Sequence, residues 1–524
     1  MTTHNQTLIF VVSFMMGIVC GDSLVYASEI AVMFFALGVV QVILYFFGKR
    51  GEWYSIQRGG AVSAASLYRI PLITILISFG IFLGILRTQF IAEKNVFVCH
   101  DVCEYNATII SSIEAKNQYQ IFKVRNISSD EYFYDVEITT TLYPAYRVGD
   151  TLTLYGKVLP VQNIYPHLDT KYNGKHFEYV SYMHTKHVGS KMLYPKIEVT
   201  DQVPHTVTHM LMRWKDDLVR RVTMYVDSPA SLLASGMLFG SSSFPKEMSD
   251  TFRVAGLSHI VVLSGFNIVI IISFIMTLLS FFPRGIRIFV SGFSIFIFVC
   301  MVGASPSVMR ATLMAFISLL AMISNRVYVA KQALIISLFL SVIHNPEILL
   351  HDVSLHLSFL ATAGIVYMSD PLMHFLQRTR FNSMPKFFQE LFIISFSAYS
   401  STLPYVMYTF GSVSVYALIA NILVVPLVPL GMLFSLLVVL FSYLSSTLTF
   451  LFGFLDTVLL SGIVYIAEVI ERLPYSNVHV HISFFGVSLM YLCMVLSVKY
   501  ISVSCKDETS VTKELPMSQG VISY

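Results

Sequence analysis

Apolar runs, several reaching the roughly 20 residues that a helix needs to cross a bilayer, constrain this chain more than any motif does. The first lie at about Leu8 to Cys20, Ile30 to Phe47 and Ile70 to Phe90. A dense series follows: Leu257 to Phe282, Ile288 to Val302, Pro306 to Ile323, Ala333 to Ile343, Val353 to Met368, Leu391 to Phe410, Val413 to Phe441, Leu448 to Ile470 and Ile482 to Val498. The expected fold is a polytopic α-helical membrane protein of about 11 to 13 spans. Charged residues make up 12% of the 524 residues, half the roughly 25% of soluble domains, which excludes a soluble globular enzyme. The N-terminus lacks Lys and Arg, and Val19 before Cys20 is a poor lipoprotein cleavage context, so the first run reads as an anchor that stays in the chain.

Between about Glu93 and Asp227 the apolar runs stop, and Tyr, Val, Ile and Thr alternate with polar residues, as in Tyr134 to Thr140 and Thr151 to Val158. Turn signals at Val148-Gly149-Asp150 and Tyr172-Asn173-Gly174 fit a small inserted β barrel or sandwich. Thr206 to Val226 reads as an amphipathic helix leading back to the bilayer. The expected order is therefore transmembrane helices over 1–92, a β domain over 93–205, a helical connection over 206–255, a transmembrane bundle over 256–500 and a polar tail over 501–524.

Loop charge sets the orientation. Gly48 to Arg69 holds Lys49, Arg50, Arg58 and Arg69 against Glu52 alone, which places it in the cytoplasm and the β domain outside. Arg284 and Arg287, Arg326 and Lys331, and Arg378, Arg380 and Lys386 fall on the same side. Pro426 and Pro429 mark a re-entrant segment or a broken helix. An outside β domain suits a disulfide between Cys99 and Cys103, with two free thiols as the alternative. No metal site is expected, because the six cysteines form no CxxC pair. His479-Val480-His481 lacks the acidic residue and histidines of a zinc motif. There is no GxxxxGK[ST] loop, so an energy source would lie in a partner or an ion gradient.

Polar residues inside apolar spans need a reason, because an Arg or Asp at a helix centre costs roughly 2.5 to 3.5 kcal/mol on insertion scales. On a continuous helix, Gly256, His259, Ser264 and Asn267 fall within an arc of about 140° and could line an inner polar face. Interhelical packing is the competing reading, and Ser264-Gly265 could break the helix. Ser305-Pro306-Ser307 reads as a helix start, with Arg310 about 7 Å beyond it, facing a polar cavity or snorkelling to head groups. Asp352 and His356, one turn apart, can pair at the start of a span with Ser358 nearby, although capping is the stronger role for Asp352. Ser395, Ser397, Ser400, Ser401 and Thr402 before Pro404 give a hydroxyl-rich, kinked helix suited to a hydrated path or to packing.

The net charge of +3 rules out a global field for nucleic acid, so any such role is local. In the β domain, Lys157, Lys171, Lys175, Lys186, Lys191 and Lys196 face only Asp169 and Glu178, a surplus of four. Tyr165, Tyr172, Phe177, Tyr179 and Tyr182 are interleaved, as on a stacking platform for single strands. Ordinary strands also alternate aromatics.

The stretch Ala255-Gly256-Leu257-Ser258-His259, followed by Leu263-Ser264-Gly265, resembles the signature of ComEC-type competence proteins. Pro306-Ser307-Val308-Met309-Arg310-Ala311, Leu355 to Ala361, Leu403-Pro404, Phe410-Gly411, Asn421 and Pro426 resemble later family segments in the same order. The resemblance implies an OB-fold-like extracytoplasmic domain and a bacterial inner-membrane channel that passes single-stranded DNA into the cytoplasm during natural transformation. It implies a DNA path through His259, Ser264, Gly265, Asn267, Pro306, Ser307, Arg310, His356, Ser358 and Asn421. It also implies an exported DNA-binding surface of Lys157, Lys171, Lys175, Tyr179, Tyr182 and Lys186.

Two features depart from the family pattern. Asn267 stands where many relatives have His, and the chain ends at Tyr524 without the metallo-β-lactamase-like domain of longer relatives. The expectation is a channel with no enzymatic activity and no cofactor. Its partners would be single-stranded DNA, the lipid bilayer, a DNA receptor outside, a helicase or ATPase inside and a separate nuclease. The alternatives are a transporter of another anionic polymer or lipid-linked substrate, and an intramembrane hydrolase using Ser264 and His259, which lacks an evident acidic partner.

Overall fold

The computed structural model describes residues 3–23, 30–35, 37, 69–92, 96–115, 118–126, 134–161, 171–172, 175–176, 179–201, 206–240, 244–261, 263–303, 305–377, 384–480 and 482–511. Most of the expected second span from Ile30 to Phe47 lies outside these residues. So do the loop from Gly48 through Tyr68, Tyr165, Asp169, Asn173, Gly174, Phe177, Glu178, Arg378, Arg380, His481 and the tail after Val511. The chain forms two compact units, one from residues 1–213 with 299–355 and one from 214–298 with 356–524.

The first unit holds the β domain. Its strands are β1 (Cys99–Ile109), β2 (Glu114–Ala115), β3 (Tyr119–Asn126), β4 (Asp135–Thr141), β5 (Thr151–Pro160), β6 (Lys171–Tyr172), β7 (Lys175–His176), β8 (Val188–Leu193) and β9 (Lys196–Asp201). The order β1-β3-β4-β8-β5 closes on itself, because β5 also pairs with β1. All the pairings of this ring are antiparallel except β4 with β8. Closure leaves the five strands no open sheet edge among themselves. Alternation does the rest: Phe122, Val124, Ile138, Leu152, Leu154 and Met192 point inward as a dry core. The expected turn at Gly149 is present, with φ +86° and Asp150 Oδ2 accepting from the Arg147 amide at 2.8 Å.

The disulfide expected between Cys99 and Cys103 is absent, and both are free thiols. Both lie on β1, where a register shift leaves Cys99 opposite Val158 and Cys103 opposite Gly156. Cys99 Sγ donates to the Asp101 carbonyl at 3.3 Å and Cys103 Sγ to the Gly156 carbonyl at 3.4 Å. Burial, and then the neighbouring Cys99, push the Cys103 thiol up to about 12.

In the same unit the helices Thr3–Ser23 and Arg69–Ala92 pack along each other, and Phe10 and Phe14 meet Phe339 on the helix Ala330–His344 edge-on. The barrel is seated on the turn after that last helix. Tyr134 donates to Glu347 Oε1 at 2.9 Å, and Asn345 Nδ2 to the Thr185 carbonyl at 3.3 Å.

The second unit is built around the apolar helix Ala230–Phe239, which is buried along its length and packs against the helices Val428–Phe441 and Ser446–Glu471. The expected run from Val413 to Phe441 is not one span. Ser412–Ser414 is a strand paired with Asn477–His479, and the helices Ala417–Val424 and Val428–Phe441 meet at 46°. Pro426 and Pro429 sit at that break, where each lacks an amide to donate.

Among the described residues, four helices are long and apolar enough to cross a bilayer: Arg284–Val302, Val353–Leu376, Ser446–Glu471 and Phe484–Ile501, with the bent pair as a fifth. Six further apolar helical stretches of 10–17 residues stand beside them among the described residues. The helix Lys386–Phe410 has 25 residues, but its hydroxyl-rich run thins its apolar content.

Candidate functional site

The stretch 255–267 is not one helix. The short turn Ser258–Val261 ends before Ser264, whose backbone is extended at φ −99° and ψ 163°, and a new helix runs from Gly265 to Leu278. The arc expected for Gly256, His259, Ser264 and Asn267 therefore does not exist, because the helical period is reset at Ser264. Ser264 caps the new helix: Oγ accepts from the Asn267 amide at 3.4 Å and donates to Asn267 Oδ1 at 3.0 Å. Asn267 is buried, and its Nδ2 donates to the Met237 carbonyl at 3.1 Å, tying this helix start to the central helix Ala230–Phe239. The Asn267 side chain thus donates one hydrogen bond and accepts another.

Gly256 has φ +75°, and a Cβ there would collide with the Ala417 methyl. This fixes the turn before His259 against the start of the helix Ala417–Val424. His259 itself is exposed, whereas Ile260 and Val261 beside it are buried. Asn421, on the helix Ala417–Val424, has its Oδ1 buried without a hydrogen-bond partner among the described residues, as has Ser414 Oγ.

His356 Nδ1 lies 2.6 Å from Tyr405 Oη, and Ser358 is half-buried one turn before Thr362, which donates to its carbonyl at 2.9 Å. The hydroxyl-rich helix Lys386–Phe410 uses its serines for packing. Ser397 and Ser401 are buried, Ser401 Oγ donates to the Leu360 carbonyl at 2.6 Å, and a Cβ at Gly364 would strike the Ser397 carbonyl.

Pro306, Ser307 and Arg310 belong to the first unit. Pro306 opens the helix Pro306–Ile323 after an extended Ser305 whose side chain makes no cap. Ser307 Oγ is 3.2 Å from Ser354 Oγ, and Arg310 is buried. Asp352 caps the following helix, with Oδ1 accepting from the amides of Ser354 at 2.7 Å and Leu355 at 3.2 Å. The structure therefore brings Ser264, Gly265 and Asn267 together, and Pro306, Ser307 and Arg310 on one helix start.

On the barrel, Lys157 and Lys186 are exposed, while Lys171 and Lys175 lie on the hairpin β6–β7. Tyr179 and Tyr182 are half-buried on the helix Tyr179–Thr185 between β7 and β8. Their faces are not bare: Lys186 Nζ sits 4.6 Å from the Tyr182 ring centre, and Lys191 Nζ 5.4 Å from that of Tyr179. Lys191 is buried in an ion pair with Glu137 at 2.6 Å.

One group escaped the sequence reading. Asp456 is fully buried in the helix Ser446–Glu471, and Oδ2 accepts from Ser435 Oγ at 2.6 Å. The run from Leu448 to Ile470 holds two carboxyls, Asp456 and Glu468, and the position of Asp456 near its middle was the available signal.

A family model described as competence protein matches residues 237–503, more than half of the chain, and takes in the 255–267 stretch and the Pro306 and Asn421 segments. No curated protein and no solved structure matches the chain.

Proposed function

Because the chain belongs to the ComEC type of the competence protein family, we propose that it passes single-stranded DNA across the bacterial inner membrane into the cytoplasm. The observation that carries the reading is the family match over 237–503. In one unit the candidates for lining the path are His259, Ser264, Gly265, Asn267, His356, Ser358 and Asn421; in the other, taken by itself, they are Pro306, Ser307 and Arg310. A polyanion threading a low-dielectric region needs amides, hydroxyls and few cations, so that it is held without being trapped.

The β domain supports the same reading. A closed ring of five strands with a single parallel pairing is the arrangement expected of an OB-type barrel, in which the loop joining the last two strands contributes to oligonucleotide binding. In this chain that loop runs between β5 and β8 and carries Lys171, Lys175, Tyr179, Tyr182 and Lys186. The barrel would face outward and receive the strand from a DNA receptor. A cytoplasmic helicase or ATPase would pull, and a separate nuclease would remove the complementary strand.

The role is that of a channel without catalysis. Ser264 Oγ is engaged by the Asn267 amide and carboxamide, neither of which is a general base.

Uptake of labelled DNA tests the proposal. Arg310→Ala and His259→Ala should abolish it while the protein still inserts. Labelling by an active-serine probe that Ser264→Ala removes would overturn it.

A further inference from the structure

Asp456 is an ionisable group that DNA passage leaves unused. Oδ2 is engaged by Ser435 Oγ at 2.6 Å, whereas Oδ1 is buried with no hydrogen-bond partner among the described residues. Among the described residues Asp456 has no ion-pair partner: Arg221, on the helix whose Tyr225 carbonyl packs on Gly453, is held by Ser442 and lies 3.9 Å from the Tyr443 ring centre. The helices Ala230–Phe239, Ala417–Val424 and Val428–Phe441, all packed against Ser446–Glu471, contain no Lys, Arg, His, Asp or Glu. The helix Lys246–Val254 also packs on it, but its Lys246, Glu247 and Arg253 are exposed, and Arg253 is engaged by the half-buried Asp250 at 3.1 Å. Glu468 and Glu471 stand at the far end of the same helix, and the turn that reaches Thr457 brings only an exposed Asp227.

A carboxylate shut away from water with one oxygen unsatisfied and no counter-charge costs far more than its neutral acid. We propose that Asp456 is an intramembrane proton-binding site. It is loaded while the helices around it are packed as observed, and emptied when water reaches Oδ1. Release breaks the O–H bond, hands the proton to that water and leaves the carboxylate, which the packed arrangement does not tolerate. The helix Ser446–Glu471 must then move against Val428–Phe441. Within the transport reading on which this rests, such a step would let a proton gradient act on the bundle.

The test is infrared spectroscopy of the full chain reconstituted in phosphatidylcholine vesicles, without DNA. The expected result is a carbonyl stretch of a neutral carboxyl group at neutral pH that vanishes in Asp456→Asn and moves to higher frequency in Ser435→Ala. A carboxyl region unchanged by Asp456→Asn overturns the proposal. Should that variant fail to insert, a band that Ser435→Ala leaves in place overturns it equally. Failure of DNA to bind or pass would leave this band intact, so the two readings fall separately.

Discussion

The barrel and the helical unit bury polar groups by different means. In the barrel, charges are paired: Arg125 with Asp135 at 2.8 Å, Lys191 with Glu137 at 2.6 Å and Arg213 with Asp150 at 2.6 Å. In the helical unit, hydroxyls and amides are buried against backbone, as with Asn267 on the Met237 carbonyl and Ser401 on the Leu360 carbonyl. The difference follows from what each must bury against. A small barrel has water at its rim, so a long side chain can bring its charge to a partner. A helix among apolar helices has no such rim, and the groups it can afford are neutral ones that donate to carbonyls within reach.

The sharpest way to break this comparison is to unpair one group in each region. Glu137→Leu removes the ion-pair partner of the buried Lys191 ammonium, which keeps its contact to Tyr179 Oη at 2.8 Å. The expected loss is about 3–5 kcal/mol, read as faster hydrogen exchange across β4 and β8 in the full chain. Asn267→Leu takes the side-chain donor from the Met237 carbonyl, at about 1–3 kcal/mol, and the side-chain acceptor from Ser264, whose Oγ still accepts from the amide of residue 267. It should lower the melting temperature in detergent, and a variant as stable as its parent would show that the amide is not needed where it lies. Gly256→Ala is the third and smaller change. Its left-handed backbone costs an alanine about 1–2 kcal/mol, and the collision with Ala417 adds to that. Adding Ala417→Gly should recover the steric part alone.

The barrel was largely legible because period-two alternation is a local signal. Tyr134 to Thr140 and Thr151 to Val158 fall within or beside β4 and β5, and the Gly149 turn lies just before β5. Closure of the ring was not legible, since it depends on β1 pairing with both β3 and β5. In the helical unit, hydropathy located the apolar stretches but did not divide them. Ser264-Gly265 and Pro426 with Pro429 signalled the breaks within Leu257 to Phe282 and Val413 to Phe441, whereas the strand Ser412–Ser414 had no such signal. The Ser264–Asn267 cap is a serine with an amide three residues on, a pattern visible in sequence, but the helical wheel averages it away. The tie to Met237 spans the gap between two separate helices and could come only from coordinates.

The smallest expected effect concerns the seat of the barrel, where paired charges give way to histidines. His184 stacks on Tyr134 at 4.6 Å between ring centres, and His187 lies 6.4 Å from His344. Burial, and then His351, hold His184 below the ordinary imidazole value of 6.5. Burial also lowers His187, opposed by Asp135 and reinforced by His344, Lys123 and Arg125. A ring freed by unseating regains that ordinary value, so the seated form binds fewer protons. Seating is therefore at full strength above pH 6.5 and weakens as the pH falls from there through the lowered values. Exchange-rate-corrected hydrogen exchange in residues 179–187 should rise on acidification, and His184→Gln combined with His187→Gln should flatten the rise. An unchanged slope in that double variant would show that His184 and His187 are not the source of the acid sensitivity.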